Sequence, residues 1–527
     1  MKRLIALFCA LLLLGGCAFM TEGLPVNTPS PSPELTTPRP QGTKAAGEAL
    51  EPLPDDGRFT LRYAPEDSLN PYACASEVNR LLCPLLYDCL VDITPDFQAE
   101  PALCEEWSSE DGGRSFFLKL RAGTVFSDGT DLSAWDAAYS LNRAREDTSF
   151  YAGRLRCIRE VSVSEDGLRV YLNESLPSFP LRLDIPIVKE GTAYRDVPTG
   201  TGLYIYAEEE EGAGCLLPNP YSPHAASLPC SRVELSGVSE ETAMAALASG
   251  ALDILIEEPG HSDPNAPEGA ARRGMSTTIL YYMACNPYCS ALSDSGRRRL
   301  VNAMLDRGSL SAVLGGEATF LPIHPALPEY DDTEARSWLP RDLKEFGIEI
   351  LTEDYDGDGM LEYFQDGLPT PFTFRILVCS ENEASTAAAR SIADDLQSHG
   401  VLAELRLLNE SDYLRAVRNG DYEACIASMR LTSDFDLSAL YRSMGDDFLR
   451  MLAEEYRSSE GEERLTALAS LGAYSAECSL VLPLTFLRRT LYYSQGAVEN
   501  MEPSWTNPFR NFSEWKLNGE PGRNQSD

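Results

Sequence analysis

Histidine is scarce in this 527-residue chain. There are four, at positions 224, 261, 324 and 399, too few and too scattered for a histidine metal cluster or a haem ligand set. Basic side chains are also under-represented, 44 against 81 acidic ones. The resulting formal charge of −37 argues against nucleic acid or an anionic bilayer as partner, because phosphates would be repelled over most of the surface, and its plain reading is an acidic, soluble surface. No G-K-[ST] phosphate loop, no H-E-x-x-H and no C-x-x-C occurs. Gly260-His261-Ser262-Asp263-Pro264 approaches a nucleophile elbow but carries proline where the second glycine belongs, in a polar loop without the strand-to-helix turn that motif needs. The Gly-x-Gly at Gly200-Thr201-Gly202 is followed by Leu203-Tyr204-Ile205, with isoleucine where a dinucleotide fingerprint needs glycine. Screens for these catalytic chemistries thus come back empty.

What is present divides the chain. Its length exceeds one hydrophobic core and implies two or more domains, and a hydrophobic content of 43% supports a globular body. Lys2-Arg3 followed by the apolar run Leu4 to Leu14 has the form of a signal peptide, too short for a bilayer span of about 20 residues. Leu14-Gly15-Gly16-Cys17 resembles a lipobox, which makes Cys17 the expected lipidation site and residues 1–17 the leader. The alternative is an ordinary small-residue cleavage site with an incidental cysteine. Residues 18–56, with Pro25, Pro29, Pro31, Pro33, Pro38 and Pro40 among Ser, Thr and Gly, read as an extended tether. The mature chain is then expected on the outer face of the cytoplasmic membrane, held by lipid. Of fourteen cysteines, Cys9 leaves with the leader and Cys17 is modified. The twelve others permit disulfides but no spacing dictates them, and most are expected to be small buried hydrophobes.

The stretch from Leu118 to Ser140 is the most informative. Phe116, Leu118 and Leu120 alternate with Phe117, Lys119 and Arg121 as in a strand; Asp128-Gly129 makes a tight turn; Ser133 stands as an N-cap with Asp136 three residues on. It follows Phe59 to Tyr63, a short strand, then Leu69-Asn70-Pro71, Leu86-Tyr87-Asp88-Cys89-Leu90 and Pro101-Ala102-Leu103-Cys104-Glu105-Glu106-Trp107. Downstream, the pattern predicts a helix over 244–253 ending near Gly250, a strand over 254–256, a strand over 279–283 and a helix over 297–307. From Phe372 a strand, a helix over 386–398, a strand over 401–408 and a helix over 413–419 give α/β character.

In register and in order, these segments resemble the family 5 extracellular solute-binding proteins of bacterial ABC importers. Phe126, Asp128, Gly129, Leu132, Ala134, Asp136 and Ser140 match the family's strand-turn-helix signature, and the likeness covers nearly all of residues 58–517. It implies a two-lobed, periplasmic-binding-protein-like α/β fold of the large class, with an extra domain in the first lobe and a hinge. The expected first lobe runs over 57–280 and 485–527, and the second over 281–484. It further implies a monomeric receptor that closes on peptide in an interlobe cleft and passes it to a membrane permease. Alternatives are another small solute (sugar, opine or metal chelate) or a peptide sensor that does not transport.

Two segments supply candidate ligands. Peptide-binding members carry an aspartate in a "D-Y-x-x-P" stretch that pairs with the peptide's ammonium terminus. Here Ser433-Asp434-Phe435-Asp436-Leu437 matches it, with Ser438 in place of proline, so Asp434, Phe435 and Asp436 are the expected ligand-binding residues, together with Asn70 of the Leu-Asn-Pro turn. A helix-capping role for Asp434 or Asp436 is the competing expectation. Asp354, Asp356, Asp358 and Glu362 form a D-x-D-x-D-G loop of the kind that begins to wrap calcium, but Gln365 stands where the bidentate glutamate belongs. An Asx-rich surface turn explains that loop equally well.

Overall fold

The computed structural model describes residues 58–164, 167–209, 214–260, 270–442, 444–494 and 498–517. Cys17, the leader, the 18–56 tether and positions 261–264 of the Gly-His-Ser-Asp-Pro stretch lie outside the described residues. The fold is mixed α/β, and the chain divides into two compact units. One comprises Ser276–Arg489 with Glu258–Gly260; the other is built from residues 58–257, 270–275 and 490–517. Two long strands, Ala270–Cys285 and Val481–Ser494, carry the chain from one unit into the other.

In the Ser276–Arg489 unit, the strands Leu402–Leu408 and Thr373–Cys379 pair in parallel, Thr373–Cys379 pairs in parallel with Ala424–Arg430, and Ala424–Arg430 runs antiparallel to Ala270–Cys285. The parallel pairs require crossovers. Helix Glu383–Ser398 supplies one, burying Ala388, Ala389, Ile392 and Leu396 at helical spacing against the sheet. It begins three residues earlier than the apolar pattern predicts, because Asn382 caps it by accepting Ser385 N–H at 2.8 Å.

One expectation for this unit changes. The helix expected over 297–307 is two helices, Ser295–Met304 and Arg307–Leu314. Asp306 separates them: its carboxylate accepts Gly308 N–H at 2.9 Å and Ser309 N–H at 3.1 Å, starting a new helix rather than continuing the old one. Val481–Ser494 is a single long strand. It carries the charged pair Arg488-Arg489, of which Arg489 is fully buried.

In the other unit, Arg58–Arg62 lies between Arg232–Ser236 and Ile254–Ile256, parallel to both, and Ile254–Ile256 pairs antiparallel with Leu491–Tyr493. A separate four-stranded antiparallel sheet is ordered Cys104–Ser108, Ser115–Leu120, Gly167–Leu172, Ile158–Ser164. Gly200 and Gly202 sit where a Cβ would meet the carbonyl group of Leu86 at 2.2 and 2.4 Å, so the glycines allow close approach of two backbones.

The strand-turn-helix stretch folds as its residues imply. Gly129 has φ +79°, and Asp128 accepts Thr130 N–H at 3.2 Å. Helix Ala134–Ala144 starts at Ser133, whose N–H and Oγ both donate to Asp136 Oδ2, at 3.0 and 2.6 Å. Asp136 Oδ1 also accepts Glu190 N–H at 2.9 Å, so this fully buried carboxylate ties the helix start to a distant loop. Asp136→Ala leaves these donors without their acceptor, and is expected to lower stability by about 2–3 kcal/mol. Ser133→Ala should cost about 1 kcal/mol; urea unfolding followed by circular dichroism measures both.

Candidate ligand-binding site

The strand Ala424–Arg430 ends beside Thr278, whose carbonyl accepts Leu431 N–H at 2.9 Å. The chain then turns on Thr432, which accepts Phe435 N–H at 2.9 Å, and enters the short helix Ser438–Arg442. Asp434 thus lies just past the carboxyl ends of two parallel strands, where open α/β sheets present ligand-binding groups. It is 1% exposed. Its neighbour Phe435 is fully buried at φ +52°, a conformation unusual for a bulky side chain. Aromatic packing holds it: the ring meets Phe486 edge-on at 5.8 Å, and His324 stands 6.5 Å away. Asp436 accepts Ser438 N–H at 3.0 Å, so its side chain engages the helix start.

Around this turn stand residues that no local sequence signal marks. Arg464 Nη2 donates to the Asp434 carbonyl at 3.2 Å and to Tyr456 Oη at 2.6 Å, and its guanidinium lies 4.0 Å from the centre of the Tyr456 ring. Glu329 accepts from Arg464 Nε at 3.4 Å. Burial raises the Tyr456 phenol well above its ordinary value; Arg464 opposes the rise, while the Glu329 and Asp434 carboxylates add to it. Asp434 is therefore electrostatically coupled to a buried phenol and guanidinium 22 to 30 positions downstream, a separation no motif search spans.

Asn70 belongs to the other unit and serves its fold. It is buried; Nδ2 donates to the carbonyls of Ala193 and Arg195, both at 2.8 Å, and Oδ1 accepts Tyr72 N–H at 3.0 Å. The acidic loop brings one carboxylate oxygen each of Asp354, Asp356, Asp358 and Glu362 within 4.8 Å of one another. The same carboxylates accept the loop's own N–H groups, from Gly357 and Gly359 to Asp354, Asp358 to Asp356, Met360 to Asp358 and Tyr355 to Glu362. Gln365 instead accepts Ser290 Oγ at 2.8 Å. The convergence suits a hard cation and the self-bonded turn alike.

The family model described as bacterial extracellular solute-binding proteins, family 5 Middle, matches residues 98–447. Protein XP55 of Streptomyces lividans is 26% identical over 287 residues, which are 51% of this chain and 52% of that protein; the chain spans about half the length of this curated relative. Among solved structures, the fold matches the periplasmic murein tripeptide binding protein MppA in its unliganded open form, with a TM-score of 0.71 at 16% identity, over 88% of this chain and 98% of that one. It also matches a nickel ABC transporter protein from Bacillus halodurans, with a TM-score of 0.69 at 19% identity, over 86% and 98% of the two chains.

His324, against Phe435 and Phe486, gives the site a pH dependence. Burial lowers its pKa from 6.5 to about 4, with Glu317 opposing and Arg488 assisting. The unfolded state therefore binds more protons in that interval, so stability is full above pH 6.5 and falls as pH drops towards 4. Glu317, itself held below its ordinary 4.5 despite burial by hydrogen bonds and the charges of His324 and Arg488, acts lower. His324→Gln should flatten urea stability between pH 6.5 and 4.5, removing on the order of 2 kcal/mol of acid dependence.

Proposed function

The chain belongs to the family 5 bacterial extracellular solute-binding proteins of ABC importers, which bind their ligands without transforming them, and on that premise we propose that it is a peptide receptor. The observation that carries this reading is the buried carboxylate of Asp434 beyond the carboxyl ends of the parallel strands. A carboxylate withdrawn from water favours a cationic partner, and the ammonium terminus of a peptide is one that also brings backbone donors and acceptors. The net charge of −37 favours a cation as well, by steering it from a distance.

In this reading the protein is a monomer anchored through lipid on Cys17, with the proline-rich segment 18–56 as its tether. It closes its two lobes on the peptide, with Asp434, Phe435 and Asp436 in the ligand region, and delivers it to a permease. Because the permease would distinguish closed from open forms, ligand need only bind the closed form more tightly.

A second reading, capture of a metal chelate, draws on the likeness to the nickel ABC transporter protein. An anionic chelate would meet Asp434 as a like charge, and the four histidines offer little direct metal ligation. Native mass spectrometry of the purified protein identifies what it carries. Peptide is the expected cargo, with affinity by calorimetry about 10- to 100-fold weaker in Asp434→Asn, and similarly weaker for the N-acetylated peptide. Equal affinity for free and acetylated peptide would remove Asp434 from the terminus-binding role; carriage of a chelate would favour the second reading.

A further inference from the structure

Helix Glu410–Asn419 ends at Gly420, with φ +66°, and the chain turns through Asp421-Tyr422-Glu423 into the strand Ala424–Arg430. Around this turn lies a cavity of about 520 Å³, inside the Ser276–Arg489 unit. Its other walls are the loop that follows Cys285, the paired strands Glu362–Gln365 and Leu368–Pro371, and the amino-terminal half of Thr373–Cys379. Asp434 stands past the opposite, carboxyl ends of the same parallel strands. At about 3.3 Å per residue, a strand of 7 residues keeps the two places roughly 20 Å apart. The cavity is therefore separate from the ligand-binding turn.

Its walls are held in place from behind. Asn286 donates from Nδ2 to the carbonyls of Tyr422 at 2.7 Å and Gly420 at 3.3 Å, and from its backbone N–H to that of Glu423 at 2.8 Å. Tyr363, only 4% exposed, donates from Oη to Gln365 Oε1 at 3.1 Å, and the Arg297 guanidinium lies 4.3 Å from the centre of its ring. The charges that line the cavity are two arginines and two carboxylates, already paired. Arg375 donates to Glu423 from Nη2 at 2.9 Å and from its backbone N–H at 2.6 Å, and Arg406 Nη2 donates to Asp421 Oδ2 at 3.0 Å. Hydrogen bonding from Arg406 holds the Asp421 carboxyl below its ordinary value, so this pair is ionised at neutral pH. At the rim, Tyr288 is 92% exposed and presents its ring to solvent.

We propose that this cavity is a second binding site, and that it takes a short neutral saccharide. Its volume lies within the range of about 300–1,000 Å³ that small-molecule sites occupy, and a free amino acid would leave most of it empty. An anion would meet Asp421 and Glu423, and a cation would meet Arg375 and Arg406. A zwitterion would have to break an internal ion pair for each one it formed. A sugar hydroxyl avoids this exchange, because it donates and accepts at once and can add to the outer edge of a guanidinium–carboxylate pair without opening it. Arg375 is 55% exposed on its side chain, which leaves such an edge within reach. The exposed ring of Tyr288 supplies an apolar platform with a polar tip, which suits the C–H face and hydroxyl rim of a pyranose. Preformed walls limit the ordering cost of binding.

Saturation-transfer NMR of the full chain with cellobiose, maltose and N,N′-diacetylchitobiose tests this, with alanyl-alanine as the zwitterionic control. The expected result is transfer to at least one saccharide, with a dissociation constant about tenfold weaker in Tyr288→Ala and weaker again in Tyr288→Ala/Arg375→Ala. Both side chains are exposed, so the variants are expected to melt with the parent, which circular dichroism checks. Retention on insoluble cellulose or chitin, run alongside, assigns the source: a retained protein takes units within a polymer, and binding in solution alone means free saccharide. Transfer to none of the three saccharides, or an unchanged constant in the double variant, would overturn the proposal. So would a dipeptide affinity that falls with the same two substitutions, since that places a zwitterion in the cavity. A peptide held near Asp434 is indifferent to Tyr288, so failure here leaves the receptor reading standing.

Discussion

A backbone amide or carbonyl that leaves water must find a partner, and much of this chain consists of connections that are nonetheless buried. Long polar side chains supply those partners. Arg307, wholly inside the Ser276–Arg489 unit, donates to the carbonyls of Asn302, Thr319 and Pro483, joining a helix boundary, a loop and the long strand Val481–Ser494. Arg298 does the same for Leu292, Ser293 and Cys478. In the other unit the amides of Asn70, Asn79 and Asn219 take this role for three turns. Burial without these groups would leave carbonyls unsatisfied, each at a cost of about 1–3 kcal/mol.

The same constraint shapes the turn that carries Asp434. Arg464 holds the carbonyl of Asp434 while Phe435 packs against the adjoining His324 and Phe486 rings, so the turn bearing the carboxylate is fixed on both sides. The positive φ of Phe435 is what this fixation requires of the backbone. A carboxylate on so constrained a turn keeps its position instead of swinging out to water.

Local chemistry made part of this readable in advance. The Asp128-Gly129 turn, the Ser133–Asp136 capping box and the strand before them are each specified by residues within a few positions of one another, and the structure has all three. Helix ends were read less well wherever a capping side chain outweighed the apolar period, as at Asn382 and Asp306. Asp434 stood out only through likeness to a family, because nothing in its neighbourhood distinguishes a ligand carboxylate from a cap. The partners that define its setting, Arg464, Tyr456 and His324, come from distant helices and loops, and their proximity is created by the fold. For Asn70 the local reading concealed a tertiary role: the side chain fastens residues 193–195 more than a hundred positions away.

The two units differ in how their chain is threaded. Ser276–Arg489 is nearly continuous, whereas the other unit takes one of its strand pairings from Leu491–Tyr493 and part of its core from Phe509, Phe512 and Trp515. A polypeptide crossing a membrane amino terminus first delivers these pieces at opposite ends of the process. The inserted unit can fold while the tail is still in transit, but the unit begun first must wait, its Phe59 and Tyr204 rings without Phe512, until the final segment arrives. During that interval its half-built sheet is the part of the molecule most exposed to proteases and in greatest need of a chaperone.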